Sequence, residues 1–210
     1  MQNRHVSRPT LALSLVLWSA ALVGYFGPWI GHRAAALAWN AYDLFEILRF
    51  LPEIETLALI ISLQTLRLPL IGLALLLPLL LAPLPPVWRW LGGSVGAALA
   101  LATLPPYPQI VGAWRTPGWR IPFWWGVGGM VGSLILIYVG PRLGSLRPWL
   151  ITACTALTAI PALLTFNRLL PAVAGVHRSD VHPGWGFWSC SIALLLLGFT
   201  AWLQGLKEAS

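Results

Sequence analysis

Charge is what this chain has least of. Its 210 residues include 13 Lys and Arg and 6 Asp and Glu, so only 9% are charged, against about 25% in a globular domain. The charges fall between long apolar stretches, and segments of about twenty residues, enough to cross a bilayer, carry none. A soluble protein spreads charge along each helix to keep one face wet. A chain that segregates it this way takes the bilayer as its solvent. Lysine is scarcest, with Lys207 the only one. No basic run and no nucleic-acid-reading module accompanies the net charge of +7, so nucleic acid is not an expected partner.

Cysteine is nearly absent as well. Cys154 and Cys190 both sit in apolar stretches, where neither a disulfide framework nor a zinc site can be read from the pair and small, soft core residues are expected. Reactive motifs are missing: no nucleophile elbow, no His-Glu-x-x-His, no membrane carboxylate pair and no phosphate-cradling glycine loop. Asp43, Glu46, Glu53 and Glu55 cluster in one segment, without a His or Lys to complete them.

What is present is apolar: hydrophobic residues make up 58% of the chain and the mean hydropathy is +0.76. The pattern predicts an all-α polytopic bundle, one integral membrane domain over 1–210, with six spans at 10–30, 67–85, 91–104, 122–140, 149–166 and 186–204. Proline ends several of them, as at Pro105-Pro106 and Pro141, while Pro78 and Pro161 lie inside spans and predict kinks. Arg4 and Arg8 before Leu11–Leu17 resemble a secretion signal, but the apolar run continues to Ile30, which predicts a retained first span. Arginines near the ends of short connections place both termini in the cytoplasm, in the plasma (inner) membrane. The outer segments are then 31–66, 106–121 and 167–185.

Of 13 Trp residues, most mark span ends: Trp29, Trp88, Trp90, Trp124, Trp125, Trp149, Trp185, Trp188 and Trp202. They read as an interfacial aromatic belt. Trp114 and Trp119, in an outer loop, are candidates for partner contact. In the first outer segment, 34–51 reads as an amphipathic helix with Asn40, Asp43 and Glu46 on one side and Leu37, Ala41, Leu44, Leu48 and Leu51 on the other. Asp43 and Glu46 are partner-binding candidates, set against a merely solvated helix face. Glu46 is spaced to pair with Arg49. Residues 54–66 read either as an outward extension of the second span or as a non-spanning segment, the latter favoured because Arg67 would otherwise face lipid.

His177, Asp180 and His182 could hold a divalent metal, with His32 as a further ligand or a pigment ligand, but their spacing fits no zinc signature and a polar loop is the favoured reading. No cofactor is expected beyond lipid. The span interiors offer hydroxyls such as Ser133, Thr155 and Thr158 and no ionisable side chain, which argues against an ion-coupled carrier. They also offer small-residue stripes for helix packing, Gly92 with Gly96 and Gly128 with Gly132.

Two stretches, Gly24-Tyr25-Phe26-Gly27-Pro28-Trp29-Ile30 with Tyr42-Asp43-Leu44, and Gly184-Trp185-Gly186-Phe187-Trp188, resemble a broad set of bacterial multipass membrane proteins, most closely those of Chloroflexota-type bacteria. The resemblance covers about a third of the chain and implies a bundle with an outer loop cap; it brings no catalytic residues. The expected function is a non-catalytic accessory subunit of a larger membrane complex for transport or electron transfer, with lipids and other membrane subunits as partners. The alternatives are a permease component handling an apolar substrate and a metal- or lipid-dependent enzyme.

Overall fold

The computed structural model describes residues 8–31, 38–48, 63–106, 108–177 and 181–209. Within these the chain is all-α apart from one two-stranded patch. Helix α1 covers Arg8–Phe26, α2 Ala41–Leu48, α3 Leu68–Leu81, α4 Pro86–Leu101, α5 Pro117–Val139, α6 Leu146–His177 and α7 Trp185–Ala209. Single 3-10 turns, Thr65–Arg67 and Gly140–Arg142, lead into α3 and out of α5. Strands β1 (Ile30–Gly31) and β2 (His182–Pro183) pair antiparallel, with Ile30 opposite Pro183.

Four helical stretches are long and apolar enough to cross a membrane: Pro9–Phe26, Gly118–Arg142, Leu146–Gly175 and Trp185–Ala209. They coincide with the first, fourth, fifth and sixth expected spans. The second and third are shorter. Helix α3 has 14 residues, about 21 Å of rise, where a hydrocarbon core is about 30 Å thick. Helix α4 begins at Pro86 rather than at Leu91, because proline at the first helical position costs nothing where the N–H has no partner anyway. Helix α6 runs through Pro161 and Pro171 to His177, so much of the expected outer segment 167–185 is helix instead.

Helix α3 is apolar along its whole length and lies in the middle of the bundle. All its residues except Leu68 and Leu75 are buried, and it packs against α1, α4, α5 and α6. A helix apolar on every side has no face that needs water, so it suits a bilayer or the middle of a bundle, and here other helices surround it. Helices α4 and α6 run antiparallel to α3 and α5 runs parallel to it: Gly92 and Gly96 of α4 meet Leu81 and Ala74, Gly129 and Gly132 of α5 meet Ile71 and Leu75, and Thr158 of α6 meets Gly72 while Thr165 meets Thr65. One face of the bundle thus carries the start of α1, the α3–α4 and α5–α6 turns and the end of α7. We call it the terminal face, and the opposite one, with α2 and the β pair, the cap face.

Two prolines explain two polar side chains. Pro78 has no N–H for the carbonyl of Ala74, four residues earlier, and Ser133 Oγ of α5 lies 3.0 Å from that oxygen, its one proton shared with Gly129 O at 2.8 Å. Beside it, Trp18 Nε1 donates to Leu73 O at 2.9 Å. Pro122 likewise frees the carbonyl of Gly118, which accepts from Gln64 Nε2 at 3.3 Å. Neighbouring elements satisfy what each proline leaves open, so α5 starts five residues before Pro122 rather than at it.

Candidate functional site

The cap face is built from the two glycine-aromatic stretches, which interlock backbone to backbone. A methyl group on Gly24 would collide with Cys190 N, one on Gly186 with the Gly27 backbone, and one on Gly184 with Pro28 O. Only glycine admits so close an approach. The approach lets Gly184 N donate to Trp29 O at 2.7 Å and Gly186 N to Pro28 O at 2.9 Å, while Trp29 N and Ile30 N donate to Trp39 O. Trp29 is therefore not a belt residue. It is 1% exposed, donates through Nε1 to Gly24 O at 3.1 Å, and sits edge-on to Phe166 and Phe187, with centroids 5.4 Å away in each case. Trp88, Trp90, Trp124, Trp149, Trp185, Trp188 and Trp202 are exposed, in keeping with a belt.

Arg67 enters α3 at this face, and it is 0% exposed. An unpaired guanidinium there would be prohibitive. Three kinds of group offset it. Glu46 of α2 forms an ion pair with Nη2. Nη1 donates to Thr103 O at 2.6 Å, at the end of α4. Aromatic rings enclose the plane: the Phe45 centroid lies 3.8 Å from Cζ, Tyr42 5.7 Å and Trp119 5.9 Å, within the range of cation–π attraction. A cation at a helix N-terminus also meets the wrong end of the dipole, and the carboxylate of Glu46 reverses that penalty. One residue thereby joins α2, α3, the α4–α5 connection and α5.

The short helix α2 is placed for this role. Asn40 Oδ1 accepts from Asp43 N–H at 2.8 Å, an N-cap, and Ala41, Leu44, Phe45 and Leu48 are buried. So the expected polar side is not simply a solvated face: Asn40 caps, and Glu46, 26% exposed at its side chain, turns to Arg67. Asp43 is half-buried. Arg49, the partner its spacing offered to Glu46, lies outside the described residues, as do Leu37, Leu51 and 54–62 of the ambiguous segment. Two buried oxygens at this face, Tyr25 Oη and Gln64 Oε1, find no hydrogen-bond partner among the described residues.

The remaining expected residues are scattered. Trp119 is buried in the arginine cage, whereas Trp114 is exposed with the Arg115 guanidinium 3.9 Å from its ring centroid. Gly92 packs on Leu81, with 2.8 Å left to a methyl group there, and Gly96 lies against Ala74 O. Gly132 faces Leu75, but a methyl on Gly128 would meet nothing within 4 Å. His182 is exposed in β2. Asp180, His32 and the side chain of His177 lie outside the described residues, and among the described residues no three His, Cys, Asp or Glu converge as metal ligands. Arg67 stands at the start of α3, where the second span was expected to begin, and what sequence reasoning missed is how the fold keeps the charge from lipid, by wrapping it in rings and pairing it with Glu46. No spacing rule links Glu46 to Arg67, though an isolated arginine between leucines is itself a signal that some carboxylate must reach it. No protein family, curated protein or solved structure matches this chain.

Proposed function

We propose that this chain is a multipass membrane subunit without catalytic chemistry of its own, which binds a further membrane polypeptide along α5. In this reading all six long helices cross the bilayer, α3 and α4 as a short hairpin sheltered by the longer ones. Both termini lie in the cytoplasm, with α2 and the β pair as an outer cap. Several features support it. Helix α3 fills the position a translocation path would need, and the buried cation at its entrance is sealed by Glu46 and rings.

The observation that carries the reading is a seam on α5. Trp124, Gly128, Val131 and Ile135 are exposed at spacings of four, three and four residues, the repeat of a helix–helix contact. Gly128 sits in mid-helix, where glycine costs about 1 kcal/mol relative to alanine, and packs on nothing inside the bundle. A glycine gains from that cost where another backbone comes close.

Purification in mild detergent tests this. The wild-type protein is expected to carry a stoichiometric second membrane polypeptide. Gly128→Leu is expected to release it while leaving the melting temperature of the 22.9 kDa chain unchanged. A monodisperse chain with no companion, or a Gly128→Leu variant that keeps it, would overturn the proposal.

A further inference from the structure

On the terminal face a cleft of about 320 Å³ opens between the start of α4 and the end of α5. Small-molecule pockets begin at about this size. Arg89 and Arg142 line it, together with Pro86, Trp90, Tyr138 and Pro141. Trp90 and Tyr138 stand edge-on, 5.6 Å between centroids, and both are exposed, Tyr138 at 61%. No carboxylate lines the cleft. Arg89 Nε is buried and finds no hydrogen-bond partner among the described residues, and neither arginine makes an ion pair there.

We infer that this cleft binds the phosphate headgroup of an anionic phospholipid. Two guanidiniums with no acidic neighbour select a polyanionic oxygen cluster, and arginine suits phosphate because its fork presents parallel N–H donors. The helix ends do not select it: the positive end of α4 and the negative end of α5 both face the cleft and oppose each other. Selection therefore rests on the two side chains. The Trp90–Tyr138 pair marks the headgroup level, and one turn above Tyr138 the exposed Leu134, off the seam of Val131 and Ile135, continues along α5 as a surface for an acyl chain. A lipid accounts for both halves of this surface, where free phosphate accounts for one. Basic pockets between membrane helices bind anionic headgroups in this way. The inference needs the chain to sit in a bilayer, but not the partner polypeptide.

The test compares lipid retention by the full chain, using native mass spectrometry after exchange into mixed phosphatidylglycerol–phosphatidylcholine nanodiscs. The wild type is expected to retain phosphatidylglycerol preferentially. Each arginine contributes about 5-fold to that preference, so Arg89→Gln with Arg142→Gln should lower it about 25-fold, while Arg120→Gln at the cap face leaves it unchanged. Arg142 is exposed, so Arg142→Gln alone gives a folded variant with the smaller loss should the pair fail to fold. Undiminished preference in these variants, or equal loss in Arg120→Gln, would overturn the assignment. So would inorganic phosphate competing as well as the lipid does, since the site would then take a free anion.

Discussion

Replacing Glu46 by glutamine removes one charge from a site where the other cannot escape. Arg67 is fully buried, and among its described contacts the guanidinium retains the Thr103 carbonyl and the rings of Phe45, Tyr42 and Trp119. Stranding one member of a buried pair costs about 3–5 kcal/mol. Glu46 is a quarter exposed and the glutamine oxygen remains an acceptor, so the expected loss for Glu46→Gln is about 2–3 kcal/mol. That corresponds to about 5–10 °C in melting temperature for a chain of this size, readable by intrinsic fluorescence given 13 Trp. Arg67→Met behaves differently. Its unbranched thioether fits the aromatic cage, Glu46 is left with access to water, and the main loss is the Thr103 carbonyl's donor, about 1 kcal/mol. Glu46→Gln on top of Arg67→Met should then cost almost nothing, a coupling of about 2 kcal/mol. Additive losses, or a Glu46→Gln variant within about 0.5 kcal/mol of wild type, would refute the cage as the feature that holds the cap face together.

Three further outcomes follow from the same geometry. Ser133→Ala should lower the melting temperature through loss of the Ala74 carbonyl's partner, about 0.6–1.7 kcal/mol; in a Pro78→Ala background, where residue 78 supplies that N–H, the effect should vanish, and an unchanged effect would refute the proline account. Tyr25→Phe should leave stability equal or raised, because its buried hydroxyl has no partner among the described residues, and a loss above about 1 kcal/mol in thermal unfolding would show that the hydroxyl is bonded. Gly186→Ala should abolish the folded, detergent-stable protein in size-exclusion chromatography, since the methyl meets the Gly27 backbone and not a movable side chain; a normal elution profile would refute the interlock.

The long helices were legible because hydropathy registers directly at the scale of a span, and α1, α5, α6 and α7 lie where charge-free stretches ended. The helix ends were not, because proline reads as a stop only when nothing else satisfies the freed carbonyl. Gln64, distant in sequence from Gly118, changes that outcome for Pro122. The glycines of Gly24–Ile30 and Gly184–Trp188 stood out as motifs, yet their meaning lies in each other, across some 160 residues, and no local period encodes a contact of that kind. Gly92 and Gly128 show the same limit: both belong to stripes of identical spacing, and only the tertiary contacts separate one packed inside from one facing out. Arg67 was visible as an anomaly whose resolution required α2.

The charges that remain divide the molecule's two faces by use. At the cap face the fully buried Arg67 has the carboxylate of Glu46, and Asp43 lies on the same short helix α2. Among the described residues the terminal face has Arg89, Arg142, Arg147 and Lys207, with the carboxylate of Glu208 acting on Arg147. Pairing within the protein compensates the Arg67 charge from inside. Arg89 and Arg142 differ, since no carboxylate lines their cleft, and their electrostatic energy is lowered by anions from the surroundings. In a bilayer the densest source of such anions is the cytoplasmic leaflet, whose surface draws each basic residue with about 1 kcal/mol. The cleft at Arg89 and Arg142 agrees with the proposed cytoplasmic placement of the termini: lipid selectivity lost with those two arginines would support the cleft as a headgroup site, and selectivity that survives their removal would leave the proposed orientation resting on the positions of arginines in the loops alone.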